Sequence, residues 1–239
     1  MRRALVSLSL FVILLAACAP QAQPTSMPVD IGGGIGGTAV PGELTPAQQA
    51  AIEALSKNLG VVADKINVIS AEAVEWPDAC LGVIQEGISC AQVVTPGYKI
   101  VLEVNGKQVE YHTDETGTVV FPATVALTWS RSGGIAGFCD NLTIYLSGEV
   151  QGSNCKQDAK VVEKSLSDLL TSQEIATMNE WISKYGQVEI DASDPKGVAD
   201  AMSVKLTMNG TGTEQLTNQA LQQVLLQFVQ DLNQKLTTP

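Results

Sequence analysis

The chain has 239 residues, 14 Lys and Arg against 25 Asp and Glu, a formal net charge of −11, five Cys and a single His. At 45% apolar and 16% charged residues it can bury a core, and its length suits one large or two small domains. So acidic a chain repels phosphate backbones and excludes nucleic acid as a partner, because that affinity comes mainly from Lys and Arg displacing counterions. One histidine, with neither H-E-x-x-H nor C-x-x-C spacing, excludes zinc sites built on several imidazoles, and no metal or cofactor is expected.

Met1-Arg2-Arg3 is a short positive start, Ala4 to Leu15 an apolar run broken only by Ser7 and Ser9, and Leu15-Ala16-Ala17-Cys18 a small-residue cleavage site ending in cysteine. The apolar run is shorter than the roughly 20 residues that span a bilayer, which favours an export signal over a permanent transmembrane helix. Leu15 to Cys18 resembles the lipobox of bacterial lipoproteins. That resemblance implies removal of residues 1–17, diacylation of Cys18 and anchorage to the outer face of a bacterial membrane, two acyl chains sufficing where one does not.

Residues 18–43 then comprise the lipidated cysteine and a linker. Ala19 to Glu43 contains six Gly, four Pro and no aromatic residue, so burial cannot offset its ordering entropy. It reads as a flexible tether with a coil reach of roughly 25 to 30 Å. Gly32, Gly34 and Gly37 fit G-x-G-x-x-G, but neither a strand before them nor a helix after them supplies the phosphate-cradling context.

Setting Cys18 aside leaves Cys80, Cys90, Cys139 and Cys155, an even number in an exported chain, and two disulfides are expected. Four cysteines allow three connectivities. The local one, Cys80 with Cys90 and Cys139 with Cys155, agrees with two small α+β domains, 44–121 and 122–239, each an antiparallel sheet with packed helices. Each short loop so closed contributes on the order of 3 kcal/mol.

In the first domain Thr45-Pro46-Ala47-Gln48 combines an N-cap Thr, a Pro at the first helical position and a Gln three residues after the cap, so a helix starts here. Ile52, Leu55 and Leu59 share a face and Gly60 stops the helix. Ile66 to Val74 is β-prone. Tyr98, Ile100, Leu102 and Val104 then alternate with polar positions up to Asn105-Gly106, a hairpin turn, and the chain returns through Val109 and Tyr111. Asp114 to Gly117 is another turn, and Val119 to Phe121 adds a strand. Trp76 is expected to pack beneath the disulfide loop. His112 and Asp114 have the spacing of a base and its orienter, but neither a G-x-S-x-G elbow nor an unpaired Cys supplies a nucleophile, so a surface pair is expected. The helix and meander, with Tyr98 to Gly106 and Val109 to Gly117, resemble a PepSY module. Such modules occur in propeptides of secreted peptidases and in envelope proteins, where they are thought to restrain proteolysis; the stretch from Trp76 to Cys90 departs from the pattern.

In the second domain Val125, Leu127 and Trp129 alternate with Ala126, Thr128 and Ser130 and enter a glycine-rich bend, Arg131 to Gly137. Leu142, Ile144 and Leu146 mark a partner strand ending near Gly148. Leu166, Leu169 and Leu170 lie in a helical segment. Thr171 with Glu174 is a capping box, followed by a helical face of Ile175, Met178, Ile182 and Tyr185 that stops at Gly186. Met202, Val204, Leu206 and Met208 alternate into Asn209-Gly210, which predicts a second hairpin. Leu221, Val224, Leu225, Phe228, Val229, Leu232 and Leu236 form the apolar stripe of a closing helix, expected as domain core rather than a membrane face.

The strand Leu127 to Gly137, its partner, the helix with Trp181 and Tyr185, a strand ending in Gly and a closing helix resemble emfourin, a family of small proteinaceous inhibitors of thermolysin-type metallopeptidases. The added cysteines and longer connections depart from it. The resemblance implies a membrane-tethered, non-enzymatic inhibitor or regulator of an extracytoplasmic metallopeptidase, with Ser132, Gly133, Gly134, Ile135, Ala136 and Gly137 as the protease-contact loop. The alternative is a non-enzymatic envelope lipoprotein that binds a protein or peptide by edge-strand addition. No catalytic residue is expected, since one His cannot complete a nucleophile, base and orienter set.

Overall fold

A computed structural model describes residues 43–83, 89–154, 161–195 and 197–237. The stretches expected to be an export signal and a tether, with Cys18 and Cys155, lie outside the described residues. The fold is α+β: two antiparallel sheets, of four and six strands, with helices packed on them.

Helix α1 (Pro46–Leu59) opens as its sequence dictates. The Gln48 backbone N–H donates to Thr45 Oγ1 at 3.2 Å, Thr45 N–H donates back to Gln48 Oε1 at 2.8 Å, and Gly60 caps the far end at φ 65°. Strands β1 (Asn67–Trp76), β2 (Thr95–Val104), β3 (Lys107–Asp114) and β4 (Val120–Pro122) form sheet A in that order. Asn105 and Gly106 both have positive φ, the conformation a two-residue turn needs to match strand twist. Ala47, Ala51, Ile52 and Leu55 of α1 bury themselves on Ile100, Leu102, Val104, Val109 and Tyr111, one complete core.

Sheet B has the order β8-β7-β6-β5-β10-β9, from β5 (Val125–Gly133), β6 (Phe138–Tyr145), β7 (Glu149–Asn154), β8 (Val161–Ser165), β9 (Gln187–Asp191) and β10 (Met202–Asn209). Helices α2 (Leu166–Leu169), α3 (Ser172–Lys184) and α4 (Gln219–Thr237) contribute to a core on one face, where Met178, Ile182, Leu225, Val229 and Leu232 meet Leu127, Trp129, Leu142, Ile144 and Leu206. Leu146 touches both cores.

Several local expectations change. Asn209-Gly210 ends β10 without a hairpin. Position 210 lies so close to the Tyr185 carbonyl that any Cβ would overlap it, and β10 already has β5 and β9 as neighbours, so the chain crosses to α4 instead. A register shift between Val125 and Leu127 puts Ala126, not Val125, into the core. The buried stripe of α4 is Leu225, Leu226, Val229, Leu232 and Leu236, while Leu221 and Val224 in its first turns stay exposed. The sequence pattern predicts none of β7, β8 and β9.

The cores adjoin through a polar junction. Asn58 at the end of α1 donates to Glu149 Oε2 at 3.4 Å and accepts from Ser165 Oγ at 3.1 Å. Gln151 Nε2 donates to both Glu149 and Glu163, at 3.1 and 3.2 Å. Gly148, at φ 81°, lets α1 approach so closely that a Cβ would meet Leu59 Cδ2 and the Asn58 carbonyl.

Candidate functional site

Ser132 to Gly137 folds as the tip of the β5–β6 hairpin. Gly133, Gly134 and Gly137 take φ of 88°, 70° and 56°, and Gly137 N–H donates to the Gly134 carbonyl at 2.8 Å, closing the bend. Its base is pinned sideways. Gly134 N–H donates to the Ala201 carbonyl at 3.2 Å, and a Cβ on Gly133 would overlap that same oxygen. Ile135 stands at the apex, 94% exposed, with Ala136 exposed beside it.

Beneath the tip the Arg131 guanidinium donates to Asp140 Oδ2 from Nε at 3.0 Å and Nη2 at 2.7 Å, and lies 3.8 Å from the centre of the Phe138 ring. Asp140 is nearly buried and also accepts from Asn154 Nδ2 at 3.0 Å, joining β5, β6 and β7. Cys139 is disulfide-bonded; Cys155, its expected partner, lies outside the described residues. A wide hairpin loop would flex; this one is fixed by hydrogen bonds and an ion pair.

The connection from β9 to β10 lies alongside. Asp194 anchors it: its N–H donates to the Met202 carbonyl at 2.8 Å and its carboxylate accepts from Met202 N–H at 2.7 Å. Val198 projects from it, 50% exposed. The signal was present in Asp194-Pro195 with Gly197, which is turn chemistry. This end of sheet B thus carries two exposed apolar side chains, Ile135 and Val198, on neighbouring loops.

The other sequence candidates do not assemble into chemistry. His112 Nδ1 lies 2.7 Å from the Leu81 carbonyl, Nε2 lies 3.0 Å from Glu110 Oε1, and the ring stacks on Trp76 at 4.1 Å. Its carboxylate partner is therefore Glu110. Asp114 instead accepts from Thr116 Oγ1 and Val119 N–H at 2.7 and 2.9 Å and serves its turn. Trp76 is buried and donates to the Thr113 carbonyl at 3.0 Å, with Gly82 of the disulfide loop against its ring. Cys80 and Cys90 are bonded to each other, as expected. Asp78 beside them accepts from Cys80 N–H and Gly82 N–H, so the three form a stapled turn; disulfide sulfurs lack the thiolate a metal needs. An open cleft of about 670 Å³ lies between the start of α3 and the end of α4. Lys164, Lys235, Asp168 and Asp231 give it both signs, and Lys235 is already paired with Glu174 at 3.0 Å, so it selects no ligand charge.

A family model described as a domain of unknown function (DUF8738) matches residues 48–122, the stretch from α1 to β4. Neither the curated proteins nor the solved structures yield a match. Among the described residues no helix is long and apolar enough to cross a membrane.

Proposed function

We propose that the chain is an exported, lipid-anchored, non-catalytic protein that inserts the β5–β6 tip into a protein partner, and that this partner is an extracytoplasmic metallopeptidase it holds in check. The observation that carries the reading is Ile135, 94% exposed on a bend fixed from the side by Ala201 and from below by Arg131 and Asp140. A water-exposed isoleucine on a rigid support stabilises nothing in the isolated chain. Inserted into an apolar pocket it contributes burial, and the pre-formed bend lowers the ordering cost of association. Positive φ at three glycines also holds the backbone away from the extended form in which a peptidase accepts a scissile bond. The emfourin and PepSY resemblances supply the peptidase class, and residues 1–18 supply the export and anchoring.

The test is a titration of purified full-length protein, in a non-ionic detergent, into a thermolysin-type metallopeptidase while cleavage of a quenched peptide is followed. Saturable inhibition at a defined stoichiometry, with the protein intact on a gel afterwards, is expected. Ile135→Asp should weaken it at least about tenfold, roughly 1.4 kcal/mol, without changing thermal stability. Undiminished cleavage across several such peptidases sinks the proposal.

A further inference from the structure

β1 is ten residues long and pairs only with β2 among the described residues, leaving its other edge open. α1 packs chiefly on β2, β3 and β4. Beyond the register shift at Val68/Ser70, Ser70 to Trp76 stay in regular register with β2, so alternate residues of this run turn their backbone donors and acceptors outward. That run holds neither Pro nor Lys, and its two charges, Glu72 and Glu75, are both acidic, so they guard the edge against acidic strands rather than basic ones. An unpaired strand of this kind is a template for another.

Next to it the surface supplies a side-chain site. Ala73, Glu75, Pro96, Tyr98 and Glu115 line an open groove of about 200 Å³. Glu72 is already paired with Lys99 at 3.2 Å, whereas Glu75 and Glu115 have no cation beside them among the described residues. Ala73 pairs with Tyr98 and Glu75 with Pro96, so these side chains share one face of the β1–β2 pair. On an added strand alternate residues would reach that face. A lysine or arginine there meets two carboxylates and the Tyr98 ring. A net charge of −11 steers a basic segment towards the chain and repels a second copy of it.

We infer that the β1 edge binds an extended, basic segment of a partner protein by strand addition. This surface belongs to the α1–β4 unit and is independent of the hairpin at Ile135.

The probe is a fluorescent octapeptide alternating valine and arginine, titrated into the full-length protein in non-ionic detergent and followed by anisotropy and by amide hydrogen exchange. Saturable binding is expected, with exchange slowed at alternate amides between Ser70 and Trp76. The exposed pair Glu75→Gln and Glu115→Gln should weaken it about tenfold or more, since charge-assisted contacts are lost. N-methylation of alternate peptide amides, which keeps the charge and removes donors, should also abolish it in one of the two possible phases. Binding that ignores both N-methylation patterns, or that leaves β1 exchange unchanged, is mere charge attraction and overturns the inference. So does a failure to bind, or β1 protection that rises with protein concentration alone, which would assign the edge to a second copy.

Discussion

Glu149 is held at the polar junction by Gln151 and Asn58, and burial there pushes its carboxyl above the usual carboxylate range, with Glu163 adding repulsion. A carboxyl whose folded-state value is raised binds more protons folded than unfolded. Its contribution is therefore complete below the unfolded value and is lost as pH rises through the folded one. Denaturant midpoints measured from mildly acidic to neutral pH should fall more steeply for the wild type than for Glu149→Gln, whose side chain does not titrate. Equal slopes would mean that Glu149 ionises without cost in the folded chain. Tyr111 belongs to the same environment: burial raises its hydroxyl, which lies near Ser147 and Asn58 without a hydrogen bond of full geometry. Neither feature was legible in the sequence, because both depend on Tyr111 and Glu149 meeting across two sheets.

Among the elements, those with their own local chemistry were legible. α3 starts where Thr171 and Glu174 close a capping box, Glu174 N–H donating to Thr171 Oγ1 at 3.3 Å. The Thr171 backbone and hydroxyl, then Lys235, hold Glu174 down to about 2, so this exposed carboxylate stays ionised and accepting until strongly acidic pH. Thr171→Ala should destabilise by about 1 kcal/mol in urea denaturation, because the helix keeps its packing and loses its cap. A change below a few tenths would show the cap to be dispensable. The β2–β3 hairpin was equally legible through Asn105-Gly106. β7 was not, because Val150 is its one buried apolar side chain: Gly152 is left bare so that Leu236 of α4 fits against the strand, and Gln151 and Ser153 are buried polar residues. Alternation of apolar and polar residues cannot reveal a strand that offers one apolar side chain and a bare glycine on one face and buried polar residues on the other. The Asn209-Gly210 turn misled for the opposite reason: its chemistry is local, but its use is decided by Tyr185, distant in sequence. At the β5–β6 tip the glycines were legible as a bend, while the support from Ala201, Arg131 and Asp140 was not.

For the whole molecule, the proposed anchor makes a prediction separate from every contact in the fold. In a bacterial host, Cys18→Ser should abolish palmitate labelling and move the protein out of the membrane fraction, with the folded part unchanged by circular dichroism; persistent labelling would exclude Cys18 as the acceptor. The strand order of sheet B carries a different consequence. β5 is hydrogen-bonded on one side to β6, its near neighbour in sequence, and on the other to β10, with Thr128 opposite Thr207. The first pairing closes a tight hairpin and forms quickly; the second must wait for a long chain excursion through β7, β8, two helices and β9. Until it forms, Leu127 and Trp129 line a sheet whose middle is an edge. Between those two events the apolar surface that Val204 and Leu206 of β10 cover in the finished fold stands open, and exposed strand surface of that kind is what promotes aggregation.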